Sequence, residues 1–88
     1  MKPIVYIKPG CPWCVDALNY FKRNGLEVET RNVLADREAM ERLLKISGKN
    51  KTPTLEYGDF VCADFAVDEL LAALDDAPEV KEQLGLRD

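Results

Sequence analysis

With 88 residues, 47% of them hydrophobic, the chain can close one modest core and is expected to form a single domain over residues 1–88. A net charge of −4 without any basic run argues against nucleic acid or anionic lipid as the main partner, and the lack of histidine excludes Cys-His proteases and the usual zinc hydrolases. The apolar run near the N-terminus is too short for a signal-peptide core or a membrane span, and three unevenly placed cysteines do not suit a secreted disulfide framework, so a soluble cytoplasmic protein is expected.

Ile4, Val5, Tyr6 and Ile7 form the compact apolar run that a buried parallel strand uses, and Pro9-Gly10 ends it. A helix is expected next. Pro12 suits a first helical turn because its missing N–H would have no intrahelical partner there, which leaves Cys11 at or near the N-cap. That position gathers unpaired backbone N–H groups and the positive end of the helix dipole, and both favour a thiolate over a thiol. Cys11 is therefore the expected nucleophile. Cys14 lies within the same first turn, where it can reach the Cys11 sulfur while pointing inward.

Cys14, Val15, Ala17, Leu18 and Phe21 supply the helix with its apolar positions, and Asn24-Gly25 stops it. Residues 26–34, with Leu26, Val28 and Thr30 in alternation before Val33 and Leu34, predict a second strand, parallel to the first across a right-handed crossover. Asp36 caps a second helix with Glu38 in its first turn, Met40, Leu43 and Leu44 as its apolar stripe and Gly48 as its terminator. After a polar loop and Thr52-Pro53, residues 54–57 and 60–63 predict a hairpin turning at Gly58-Asp59. Phe65, Leu70, Leu71 and Leu74 mark a third helix with Asp64, Asp68 and Glu69 near its start, and Pro78 opens a short fourth that Gly85 closes. The expected fold is α/β, a four-stranded mixed sheet flanked by helices on both faces.

Bland readings compete at several positions. Cys11 and Cys14 could be half of a zinc site, but one further cysteine and no histidine cannot complete four ligands in one chain, which favours redox chemistry. Cys62 reads as a small buried strand residue. Trp13 either covers the helix terminus or contacts an incoming peptide, and Lys8, if near Cys11, favours its thiolate.

The Cys-x-x-Cys after the first strand, the later Thr52-Pro53 and this element order together resemble the thioredoxin superfamily, and the tetrad Cys11-Pro12-Trp13-Cys14 looks like that of a dithiol glutaredoxin. The resemblance implies a thioredoxin-like fold and a thiol–disulfide oxidoreductase in which Cys11 attacks and Cys14 resolves. It further implies that Lys8 helps hold a glutathione carboxylate, that Thr52 pairs its backbone with a bound thiol peptide, and that Pro53 is cis. Glutathione is the implied co-substrate, no cofactor is tightly bound, and the partners are disulfide-containing proteins with glutathione or thioredoxin reductase as electron source, acting on a monomer.

Where the family carries Gly-Gly before an Asp-containing helix start, this chain has Ala63-Asp64 followed by Phe65, Ala66 and Val67, which leaves Asp64 or Asp68 as the carboxylate at that corner. Similar changes occur in the glutaredoxin-like redoxins that thioredoxin reductase recharges. The rival reading is a non-catalytic module on the same fold, one that carries an iron–sulfur cluster or presents a protein-interaction surface.

Overall fold

The computed structural model describes residues 1–87. Its elements are β1 (Ile4–Ile7), α1 (Pro12–Arg23), β2 (Glu29–Asn32), α2 (Arg37–Ser47), β3 (Thr54–Tyr57), β4 (Phe60–Cys62), α3 (Val67–Asp75) and α4 (Pro78–Leu84). The strands form one sheet in the order β2-β1-β3-β4, with β1 parallel to β2 and the other two pairings antiparallel.

Strand alternation divides the core in two. Val5 and Leu55 face Ala17 and Phe21 of α1, Leu70 and Leu74 of α3 and Leu84 of α4. Tyr6, one residue on from Val5, faces the opposite way, toward Ala39 and Leu43 of α2 and Val33. Helices thus cover both faces of a mixed sheet, as the sequence predicts.

Several boundaries differ from expectation. β2 spans only Glu29–Asn32, because β1 offers four residues to pair with; Leu26 and Val28 pack against the larger cluster before the strand begins. β4 stops at Cys62 because the chain turns at Asp64, whose φ of 52° takes it out of the ladder and whose N–H donates to Thr54 Oγ1 at 3.4 Å. Phe65 lies outside the third helix as a buried anchor, held by its N–H to the Pro53 carbonyl at 3.2 Å. α3 starts at Val67, and Glu69 reaches back to accept the Ala66 N–H at 2.8 Å.

The helix stripes also shift. Ala39 and Leu43 are the buried residues of α2 with Met40 and Ile46 packed alongside, whereas Leu44 is 46% exposed; on α1 it is Tyr20, and not Val15, that turns inward. Cys62 is half-buried, on the face of the larger cluster.

The α2 face carries a polar row across the sheet. Tyr6, fully buried, donates to Glu56 Oε1 at 2.7 Å, and Arg42 of α2 closes on the other Glu56 oxygen as an ion pair. Buried Glu56 is thereby satisfied from two elements, which a carboxylate inside a core requires. The Arg42 hydrogen bond holds the Glu56 carboxyl below its ordinary value of 4.5 against the opposing effect of burial, with Tyr6 assisting. Burial, reinforced by Glu56, pushes the Tyr6 phenol up to about 12.

Tyr6→Phe is expected to lower unfolding free energy by about 1.5–3 kcal/mol, the range for a hydrogen bond to a charged group, as read by urea denaturation. Because folding lowers the Glu56 pKa, its contribution is complete above 4.5 and is lost as pH falls through the depressed folded value. Glu56→Gln should therefore flatten the acid limb of the stability profile measured between about pH 7 and pH 3.

Candidate active site

β1 ends at Ile7, and the chain turns through Gly10, whose φ of 72° needs a residue without a Cβ, to deliver Cys11 to the start of α1. Cys11 is extended (φ −100°, ψ 104°) and is the N-cap; Pro12 follows as the first helical residue. The cap is made by sulfur. The Cys14 N–H donates to Cys11 Sγ at 3.2 Å, while the Cys14 and Val15 amides both donate to the Cys11 carbonyl at 3.1 Å.

Cys11 and Cys14 are joined as a disulfide with Cα atoms 5.2 Å apart, within the span that a disulfide bridges without backbone movement. Their surroundings differ. Cys11 is half-buried and open to an approaching sulfur, whereas Cys14 is 3% exposed and faces the core.

The second wall is the segment before β3. Thr52 brings two groups to Cys11: its hydroxyl Oγ1 lies 3.7 Å from Cys11 Sγ and its carbonyl oxygen 3.8 Å. The Thr52-Pro53 bond is cis and Pro53 is buried. With Cys11 reduced, the Thr52 hydroxyl is placed to donate toward a thiolate, adding to the helix N-terminus.

Trp13 is 59% exposed and forms one side of an open groove of about 620 Å³, completed by Asp64, Phe65, Ala66, Asp68 and Glu69. The structure thus brings Trp13 together with both acidic candidates, Asp64 and Asp68. Phe65, Ala66 and Glu69 were not singled out as site residues from sequence; their position follows from the turn at Asp64, a non-glycine residue at positive φ that composition does not reveal. Lys8 is half-exposed on the segment between β1 and α1 and does not line the groove.

Cys62, the third cysteine, is free. Burial, with the nearby Glu69 carboxylate adding to it, pushes its thiol up to about 11, so it stays protonated and unreactive near neutral pH. Among the described residues no cluster of three or more metal-ligating side chains occurs, and no helix is long and apolar enough to cross a membrane.

A family model described as Glutaredoxin matches residues 4–61. Among solved structures, the thioredoxin-like protein BC3987 is 33% identical, with a TM-score of 0.73 over 82% of this chain and 99% of that one. A glutaredoxin from Brucella melitensis is 28% identical, with a TM-score of 0.68 over 97% of this chain and 89% of that one. The glutaredoxin-like NrdH-redoxin from Escherichia coli shares the fold at 22% identity, with a TM-score of 0.66 over 81% of this chain and 93% of that one. No curated protein matches the chain.

Alkylation of the fully reduced protein is expected to modify Cys11 first and Cys62 last, with the midpoint of the Cys11 rate–pH curve below the ~8.5 of a free thiol. Peptide mapping across a pH series checks both the order and the midpoint; a Cys11 that titrates like a free thiol would contradict the capping argument.

Proposed function

The chain belongs to the glutaredoxin family and is a thiol–disulfide oxidoreductase, and from that premise we propose that it reduces protein disulfides and glutathione mixed disulfides with Cys11 attacking and Cys14 resolving. The observation that carries this division of roles is the asymmetry of the pair: Cys11 caps a helix and is open to solvent, while Cys14 is sealed behind it. A substrate sulfur meets Cys11 alone.

The Cys11 thiolate attacks one substrate sulfur. A Cys11–substrate bond forms as the substrate S–S bond breaks, and the departing thiolate takes up a proton. Cys14 then gives up its proton and attacks Cys11 Sγ, forming the Cys11–Cys14 disulfide and releasing the second substrate thiol. The substrate gains two electrons and two protons, and the protein leaves as its disulfide.

In this reading Thr52 and the cis-Pro53 present backbone to the incoming segment while Trp13 covers it from the α1 side. In the same reading Lys8 and Asp64 are charged groups that meet the substrate. The dithiol is restored by glutathione or by a thioredoxin reductase, in a monomer working in a reducing cytoplasm. Glutathione carries a net negative charge at neutral pH, and the groove beside Cys11 is lined by three acidic residues and no basic one. That charge balance supports thioredoxin reductase as the faster source of electrons.

Cys14→Ser is expected to accumulate a stable mixed disulfide on Cys11, seen as an added substrate mass, and Cys11→Ser to abolish turnover. Trapping on Cys14 in place of Cys11 would reverse the roles. Turnover of a mixed-disulfide substrate with glutathione and its reductase, set against thioredoxin reductase alone, identifies the electron source, and the second system is expected to sustain the higher rate.

A further inference from the structure

We propose that the groove between Trp13 and the start of α3 is a docking site for a basic polypeptide segment flanking the substrate's disulfide, so that this protein selects protein disulfides with lysine or arginine neighbours. The inference deepens the reading of Cys11 and Cys14 as a reductase pair and rests on it.

Charge is the first ground. The groove is lined by Asp64, Asp68 and Glu69 together with Trp13, Phe65 and Ala66, without a single cationic residue. Its acids are not neutralised from within the site. The ion pairs of the described residues join Lys2 to Glu27, Arg31 to Glu29, Arg42 to Glu56 and Lys81 to Asp75, and none involves a groove carboxylate. Glu69 and Asp68 accept only backbone N–H groups, those of Ala66 and Glu69. Unneutralised carboxylates around a concave surface concentrate cations and repel anions.

Shape and position are the second ground. Trp13 is exposed over most of its surface and stands in the same first turn of α1 that Cys11 caps, so the groove it lines belongs to the turn that carries the sulfur. An indole beside carboxylates suits a lysine or arginine side chain, whose stem packs on the ring while its cationic end meets the acids. Outside the groove, Thr52 turns a carbonyl toward Cys11 Sγ, so an extended segment can run from there to Trp13 with its cysteine over Cys11. At about 620 Å³ the groove has room for side chains on either side of that cysteine.

Asp64 is the residue that commits the groove to this charge. Its φ of 52° is a conformation that glycine adopts freely and that aspartate and asparagine tolerate, so Asn can replace it without altering the turn.

The test uses three short peptides, each closed by the same intramolecular disulfide and differing only in the flanking residues: lysines, serines or glutamates. Each is mixed with the reduced protein, loss of the dithiol is followed by stopped flow, and each rate is divided by that of dithiothreitol with the same peptide to remove intrinsic reactivity. The lysine peptide is expected to react about tenfold faster than the glutamate peptide at low salt, with the ratio shrinking as ionic strength rises. In the Asp64→Asn/Asp68→Asn variant the ratio should fall toward one.

Equal normalised rates in the native protein, or a ratio that the double variant leaves intact, would overturn the docking proposal. The serine peptide keeps the two readings apart, because failure to reduce it at all counts against the reductase assignment itself. Should the variant not fold, the salt dependence of the native ratio still decides: a lysine preference that persists undiminished at high salt is not electrostatic, and the proposal falls.

Discussion

One hydrogen bond organises the site: the Cys14 N–H donating to Cys11 Sγ at the first turn of α1. It exists because Pro12 starts the helix and gives up no amide of its own, so the next free donors converge on the sulfur of the preceding residue. Everything the pair can do follows from where that turn is held. Gly10 supplies the reversal after β1, Cys14 anchors the turn in the core beneath, and Thr52 closes the far side through the loop that enters β3.

The two faces of the sheet divide the work that keeps this turn in place. Val5, Leu55, Ala17 and Phe21 form an apolar layer beneath α1, and its close packing fixes the height of Cys11 above the strand ends. On the reverse face buried Tyr6 and Glu56, with Arg42 at the surface, tie β1, β3 and α2 by hydrogen bonds, a directional link that complements the non-directional packing opposite. Because Val5 and Tyr6 are consecutive, the strand that ends at the reactive turn is gripped from both sides.

Much of this is legible in the sequence, for physical reasons that differ from element to element. Pro12 after Cys11, Asp36 before α2, and Gly25, Gly48 and Gly85 after their helices are local signals whose meaning does not depend on tertiary context, and each sits where the structure has a cap or a terminator. Residues whose fate is set by a partner strand or helix are harder to read. Leu26 and Val28 alternate as strand residues do, yet β1 is too short to pair with them, and Leu44 sits at an apolar spacing on a helix whose buried side is narrower than its apolar composition suggests. The groove is half legible: Trp13, Asp64 and Asp68 stand out as charged or aromatic neighbours of local signals, but the turn that gathers them with Phe65 depends on the backbone conformation at Asp64 and on its hydrogen bond to Thr54, a residue of the neighbouring strand, and no local pattern encodes it.

The sulfur cap has a thermodynamic side as well as a kinetic one. A donor that settles negative charge on a free Cys11 lowers the energy of the open dithiol relative to the closed bridge, and so raises the potential of the couple. The same amide that favours the Cys11 thiolate thus makes the dithiol a weaker donor of electrons, and the first turn of α1 sets a compromise between how quickly a thiolate is available for exchange and how far uphill the exchange can be driven.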